Sequence, residues 1–242
     1  MDGIILIDKP KGFTSHDVVD FVRRRFGIKK VGHGGTLDPE ATGVLVILLG
    51  KATRIFSYIV EMDKEYRGSF YLGKATDTGD GMGKVIYEEK DGDKLRNFKR
   101  EDIEKVFHSL TGEVYLTPPM FSALHYQGKR LYELAREGKF IERKPRLAKI
   151  YFLKLINFSP PLVDFHISCS RGTYIRSLCE KIEEQLGIPL YLYSLRRLRC
   201  GNFLLEDAVD LDTLREIGSL ENLVIPLEKI CGEGFSWSKQ FR

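Results

Sequence analysis

Two long apolar-patterned runs, Leu147 to Phe158 and Leu162 to Ser170, are separated only by Ser159-Pro160-Pro161. A three-residue link cannot carry the crossover that parallel neighbours need, so these runs form an antiparallel pair. The same abutment recurs elsewhere. Ile4 to Ile7 ends at the turn Asp8-Lys9-Pro10-Lys11-Gly12, Val44 to Leu49 reads as a buried strand, and Tyr66 to Leu72, Val85 to Glu88 and Leu190 to Leu198 are strand-like. Helical spacing predicts a helix capped by Ser15, with Val18, Val19, Val22 and Phe26 on one face and Gly27 as its stop. Further helices are expected over 51–59, 100–110, 130–137 and 173–186, while 29–42 and 76–83 are polar, glycine-rich loops. Strands interleaved with helices, several without a crossover, predict a mixed α/β (α+β) domain with a largely antiparallel central sheet flanked by helices.

The chain has 242 residues, 43% of them hydrophobic and 30% charged, which excludes wholesale disorder. Its longest aliphatic run falls far short of the roughly 20 residues of a membrane span. The N-terminal residues do not form a secretory signal, so a cytoplasmic location is expected. Cys169, Cys179, Cys200 and Cys231 include no C-x-x-C pair, and no two histidines are close, so no metal site is expected. Gly43 and Gly50-Lys51 are wrongly spaced for a phosphate loop, and Ala52 replaces the required hydroxyl. Asp77-Thr78-Gly79 lacks the second triplet that an aspartic protease needs, and Asp77 and Asp80 lack calcium-loop spacing.

The densest unusual segment is Gly32-His33-Gly34-Gly35-Thr36-Leu37-Asp38-Pro39-Glu40-Ala41-Thr42-Gly43. Its glycines permit positive φ and close approach to a ligand. Leu37 is expected to pack inward, and Pro39 fixes the turn after Asp38. By composition alone, Asp38 serves equally well as a turn cap or as a positioned nucleophile. Asp38 and Glu40 are too close, with Pro39 between them, to face each other as glycosidase carboxylates.

In sequence order, that segment is preceded by Asp8-Lys9-Pro10-Lys11-Gly12-Phe13-Thr14-Ser15 and followed by Lys64-Glu65-Tyr66-Arg67 and Thr76-Asp77-Thr78-Gly79-Asp80. Then come Pro118-Pro119-Met120-Phe121-Ser122-Ala123, Gly128-Lys129-Arg130-Leu131-Tyr132-Glu133-Leu134-Ala135-Arg136 and Gly172-Thr173-Tyr174-Ile175-Arg176-Ser177-Leu178. With these motifs in this order, the chain resembles the TruB family of tRNA pseudouridine synthases, to about Phe203. The resemblance implies a pseudouridine-synthase catalytic domain over 1–205, with an RNA-gripping insertion at about 120–145. The short extension 206–242 is too small for the C-terminal RNA-binding domain that bacterial members usually carry.

The resemblance further implies isomerisation of uridine 55 in the T loop of tRNA, by a monomer without a cofactor, metal or protein partner. Asp38 would be the essential carboxylate, attacking the sugar or removing a sugar proton. Arg176 would lie against Asp80 and within reach of that carboxylate. Tyr66 would stack on the uracil and take its C5 proton. The match adds Tyr174, His33 and Lys9 as substrate-binding residues, and Leu195 or Leu198 as the aliphatic wall. On residue type alone, Arg176 is a surface charge, Tyr66 half-buried packing and His33 structural. The target base must be turned out of its stack, at a cost of a few kcal/mol. The net charge of +4 is modest, but Arg23-Arg24-Arg25, Lys29-Lys30, Lys129-Arg130, Arg143-Lys144-Arg146 and Arg196-Arg197-Arg199 are candidate phosphate contacts. A second reading, an RNA-folding chaperone with secondary catalysis, needs the same basic surface without Asp38, Tyr66 and Arg176.

Overall fold

A computed structural model describes residues 1–231. In chain order the first elements are β1 (Gly3–Lys9), α1 (Ser15–Phe26), β2 (Val31–His33), β3 (Thr42–Leu49) and, after a 3-10 turn over Gly50–Ile55, α2 (Phe56–Val60). Next come β4 (Lys64–Leu72), β5 (Lys74–Thr76), β6 (Val85–Glu88), α3 (Gly92–Arg96), α4 (Arg100–Ser109) and β7 (Gly112–Leu116). The chain continues with β8 (His125–Tyr126), β9 (Lys129–Arg130), α5 (Leu131–Arg136), β10 (Arg146–Ser159), β11 (Leu162–Cys169) and α6 (Ile175–Leu186). It closes with β12 (Leu190–Cys200), β13 (Phe203–Leu204), α7 (Leu211–Glu216) and α8 (Leu227–Cys231). The fold is mixed α/β, with a mostly antiparallel sheet. No helix among the described residues is long and apolar enough to cross a membrane.

The residues group into two compact units, one built from Met1–Met62 with the chain from Arg197, the other from Asp63–Arg196. The border falls inside β12, whose continuous strand pattern hides it from a reading of the sequence. In the first unit β1 pairs antiparallel with β3, from Gly3↔Leu49 to Lys9↔Gly43, and β3 also takes β2. Nearly every side chain of β1 and β3 is buried, which is why both read as unbroken apolar runs. Ile4, Leu6, Val44, Val46 and Leu48 pack with Ile55, Ile59, Phe203 and Leu227 in its core.

In the second unit the strands lie in the order β12-β4-β11-β10-β7, and the β4–β11, β11–β10 and β10–β7 pairs are antiparallel. The hairpin expected from the Ser159-Pro160-Pro161 link closes at Ser159↔Leu162. Phe70 stacks on Phe165 at 4.2 Å and meets Phe107 of α4 edge-on, so α4 covers the face that its apolar stripe predicts. Met120, Leu131 and Leu134 form a small separate core around α5.

Several sequence expectations shift. The helix expected over 51–59 is a 3-10 turn followed by one short α-helical turn. β6 pairs only with β5, in a separate two-stranded sheet. The expected loop 29–42 contains β2, and β7 and the small β8–β9 hairpin had no counterpart in the sequence reading. Cys169, Cys179 and Cys200 are buried free thiols, and burial pushes Cys169 up to about 12. The side chain of Cys231 lies outside the described residues.

Candidate active site

In the first unit, the turn carrying Asp38 is held by bonds that its own side chain does not make. Thr14, not Ser15, caps α1: its hydroxyl accepts from the Asp17 amide at 3.1 Å, and the Asp17 carboxylate accepts from the Thr14 amide at 2.8 Å. That frees the buried Ser15 hydroxyl to accept from the Leu37 amide at 2.8 Å and to donate to the Leu37 carbonyl at 3.2 Å. Leu37 is buried, as expected. The Gly34 amide donates to Val46 (2.7 Å), the Ala41 amide to the Asp38 carbonyl (3.0 Å) and the Gly12 amide to Pro39 (2.9 Å). Asp38 itself is half-buried.

Two buried cations brace this turn. Lys9 is 0% exposed, and its ammonium donates to Phe13 (2.6 Å), Pro10 (2.9 Å) and Pro39 (3.2 Å) carbonyls. Burial lowers its pKa to about 8, opposed by the Asp38 carboxylate and assisted by the Arg197 guanidinium. Arg197 is 1% exposed; its Nε donates to Val44 (2.8 Å) and its Nη2 to Gly35 (3.3 Å). It therefore ties together the two segments that flank the Asp38 turn. The Lys9 ammonium gives its three protons to loop carbonyls. Arg197, a candidate surface phosphate contact by residue type, instead lies inside. Each cation costs several kcal/mol to desolvate, and carbonyl dipoles offset part of this.

Gly43 shows how tightly the turn is seated. Its φ is +104°, and a Cβ there would lie 2.2 Å from the Arg197 carbonyl oxygen. His33 is half-buried at the end of β2 opposite Ile47, and Leu198 is half-buried on β12.

The second unit holds the remaining residues. Tyr66 lies on β4 opposite Ile167 and is 8% exposed. Arg176, in the first turn of α6, is buried rather than the surface charge that residue type alone suggests. Its guanidinium donates to the Thr78 carbonyl (3.1 Å) and the Phe121 carbonyl (2.7 Å), and its Nε is 3.7 Å from the Asp80 carboxylate. Asp80 is in turn fixed by the Thr78 hydroxyl (2.6 Å) and the Met82 amide (3.0 Å). Arg176 thus joins the loop after β5 to the segment that follows β7, and the expected pairing with Asp80 is present. Tyr174 sits half-buried at the N-terminal cap of α6, and Leu195 is half-buried on β12. Among the described residues no group of His, Cys, Asp and Glu is arranged to hold a metal ion.

The two arrangements share one character. A carboxylate on a turn fixed by backbone bonds suits chemistry that needs a stationary acid or nucleophile. A buried arginine fixed against a half-buried carboxylate suits orientation of a polar substrate group.

Comparison with known proteins agrees. The family description "TruB family pseudouridylate synthase (N terminal domain)" matches residues 23–175. A tRNA pseudouridine synthase B from Syntrophotalea carbinolica is 45% identical over 214 residues, covering 88% of this chain and 69% of its own. One from Geobacillus thermodenitrificans is 45% identical over 238 residues, covering 95% and 78%. Among solved structures, a chain of a Cbf5-Nop10-Gar1 complex superposes with a TM-score of 0.73 at 29% identity over 95% of this chain, which spans 61% of that longer one. A chain of an H/ACA RNP bound to a substrate RNA containing 2'-deoxyuridine gives 0.67 at 27% identity, over 96% of this chain and 57% of that one. With a family match over more than half of its length and relatives at this identity, the chain belongs to the TruB family of pseudouridylate synthases.

Proposed function

We propose that this enzyme converts a uridine of tRNA into pseudouridine, that the target is uridine 55 in the T loop, and that it acts as a monomer. The observation that carries this reading is the Asp38 turn, whose backbone is braced from inside by Lys9 and Arg197. The reaction is redox-neutral. The N-glycosidic bond breaks, the uracil rotates, C5 bonds to the sugar carbon that N1 left, and the C5 proton departs while N1 gains one. Asp38 supplies the carboxylate for bond cleavage, by attack on the anomeric carbon or by removal of a sugar proton. Tyr66 stacks on the displaced uracil and accepts the C5 proton, while Arg176, fixed by Asp80, orients the reacting groups. His33, Tyr174 and the leucines 195 and 198 contribute contacts to the splayed loop.

Tyr66→Phe tests the assignment, because it keeps the ring and removes only the hydroxyl. In single-turnover assays, tRNA affinity should stay within about twofold while pseudouridine formation slows by about 100-fold, the lower range for loss of a general base. Unchanged turnover would remove Tyr66 from the proton transfer. A matching loss of affinity would make it a binding residue only.

A further inference from the structure

Arg25, Lys29 and Lys30 line a cavity of about 690 Å³ in the first unit, together with Asp2, Gly50 and Leu220. This cavity is not part of the Asp38 turn. Helix α1 has its N-terminal end fastened to that turn through Ser15 and Leu37, and its C-terminal end, Arg25 to Gly27, at the cavity. Twelve helical residues at 1.5 Å each separate the two ends by about 18 Å. Strand β1 spans a similar distance, with Lys9 under the turn and Asp2 just beyond its other end. The cavity is therefore at the far end of the unit from the reacting carboxylate.

Its charge is unbalanced. Asp2, its one carboxylate, is engaged by Lys51, through the amide at 2.8 Å and the ammonium at 3.6 Å, and that engagement lowers its pKa. Lys29 and Lys30 are exposed, and neither forms an ion pair among the described residues. Arg25 is held in place: its Nη2 donates to the carbonyls of Arg215 (3.1 Å) and Ile217 (2.8 Å), and its guanidinium lies 5.4 Å from the Phe26 ring centroid. Three cations at an open cavity suit a phosphate. Its only aromatic ring, half-buried Phe26, already lies under Arg25, which leaves no platform for a stacked base.

We infer that the Arg25–Lys29–Lys30 cavity is a second RNA-binding site, which takes backbone phosphates of the substrate about 18 Å from the target uridine. This rests on the reading of the chain as a tRNA-modifying enzyme. The site adds affinity for the body of the substrate and reads no base, so it favours long RNA over the isolated target loop.

The test compares the parent, Lys29→Ala/Lys30→Ala and Lys29→Arg/Lys30→Arg on two RNAs: a whole unmodified tRNA, and a hairpin trimmed to the target loop and the three base pairs beside it. Binding is measured between 50 and 200 mM salt, and pseudouridine formation is measured separately. For whole tRNA the alanine variant should bind about tenfold more weakly, with a log K against log salt slope shallower by roughly 1 to 2, since each duplex phosphate contact contributes about 0.9. Its affinity and turnover on the trimmed hairpin should equal the parent's, and the arginine variant should restore whole-tRNA binding. Unchanged affinity and slope on whole tRNA would overturn the inference, as would an equal loss on both RNAs. If the parent shows the cavity-dependent preference but forms no pseudouridine, the inference stands and the functional reading falls. If the parent binds neither RNA, both fall.

Discussion

Asp38→Asn is expected to lower pseudouridine formation by about 10⁴-fold or more while RNA affinity persists or rises. The substitution preserves shape and hydrogen-bonding capacity but removes the charge. An amide is a poor nucleophile and a poor base, and loss of a nucleophile in comparable enzymes costs factors of this size. RNA affinity survives because a carboxylate near a polyanion is repulsive. The fold survives because the Leu37, Gly34 and Pro39 backbone groups hold the turn and the amide keeps the shape of the carboxylate. The stability loss, on the order of 1 kcal/mol, comes from the buried Lys9, which loses the negative charge that supports its protonated form; its pKa should fall further below about 8. Thermal unfolding, tRNA titration and pseudouridine yield on the same preparation separate these effects. Parental turnover in the variant would remove Asp38 from the chemistry. A variant that binds well and forms none shows binding and catalysis to be separable, as an additional RNA-folding role requires.

Gly43→Ala is expected to be the most damaging substitution of a single methyl group for stability. Its φ of +104° lies where side chains are disfavoured, and the new Cβ would lie 2.2 Å from the Arg197 carbonyl oxygen and 2.6 Å from its nitrogen. These are backbone atoms of β12, so no rotamer change relieves the contact. Conformational strain costs about 1–3 kcal/mol, and the displaced backbone adds a comparable overpacking cost. A total loss of about 3 kcal/mol or more should appear as a lower urea midpoint at unchanged m-value. A change below about 0.5 kcal/mol, typical of a surface substitution, would show that β3 and β12 are not held as tightly as this geometry requires.

The sequence was informative where a pattern is local. The β10–β11 hairpin is bounded by its Pro-Pro link, α1 is marked by its apolar spacing and the Gly27 stop although its cap is Thr14 rather than Ser15, and α4 is marked by its apolar stripe. Elements fixed by distant partners were not legible. β2 has three residues inside a glycine-rich stretch, and β7 is five residues long with only Leu116 buried. The same division holds at the site. Asp38, Tyr66 and Arg176 stand in recognisable motifs. The braces behind the Asp38 turn do not, because Lys9 and Arg197 carry charges that residue type assigns to the surface. Their burial becomes affordable only once carbonyls from elsewhere in the chain converge on them: Phe13 and Pro39 for Lys9, Val44 and Gly35 for Arg197. The one local clue was the Thr14–Asp17 capping box, which leaves Ser15 free for Leu37.

The central claim is that this chain isomerises uridine 55 of tRNA through Asp38. Purified parent and Asp38→Asn proteins should be incubated with unmodified tRNA transcript, and pseudouridine should be mapped at every uridine. One new pseudouridine at position 55 with the parent, and none with the variant, is the expected result. No modification at 55 by the parent, or equal modification there by both proteins, would contradict it.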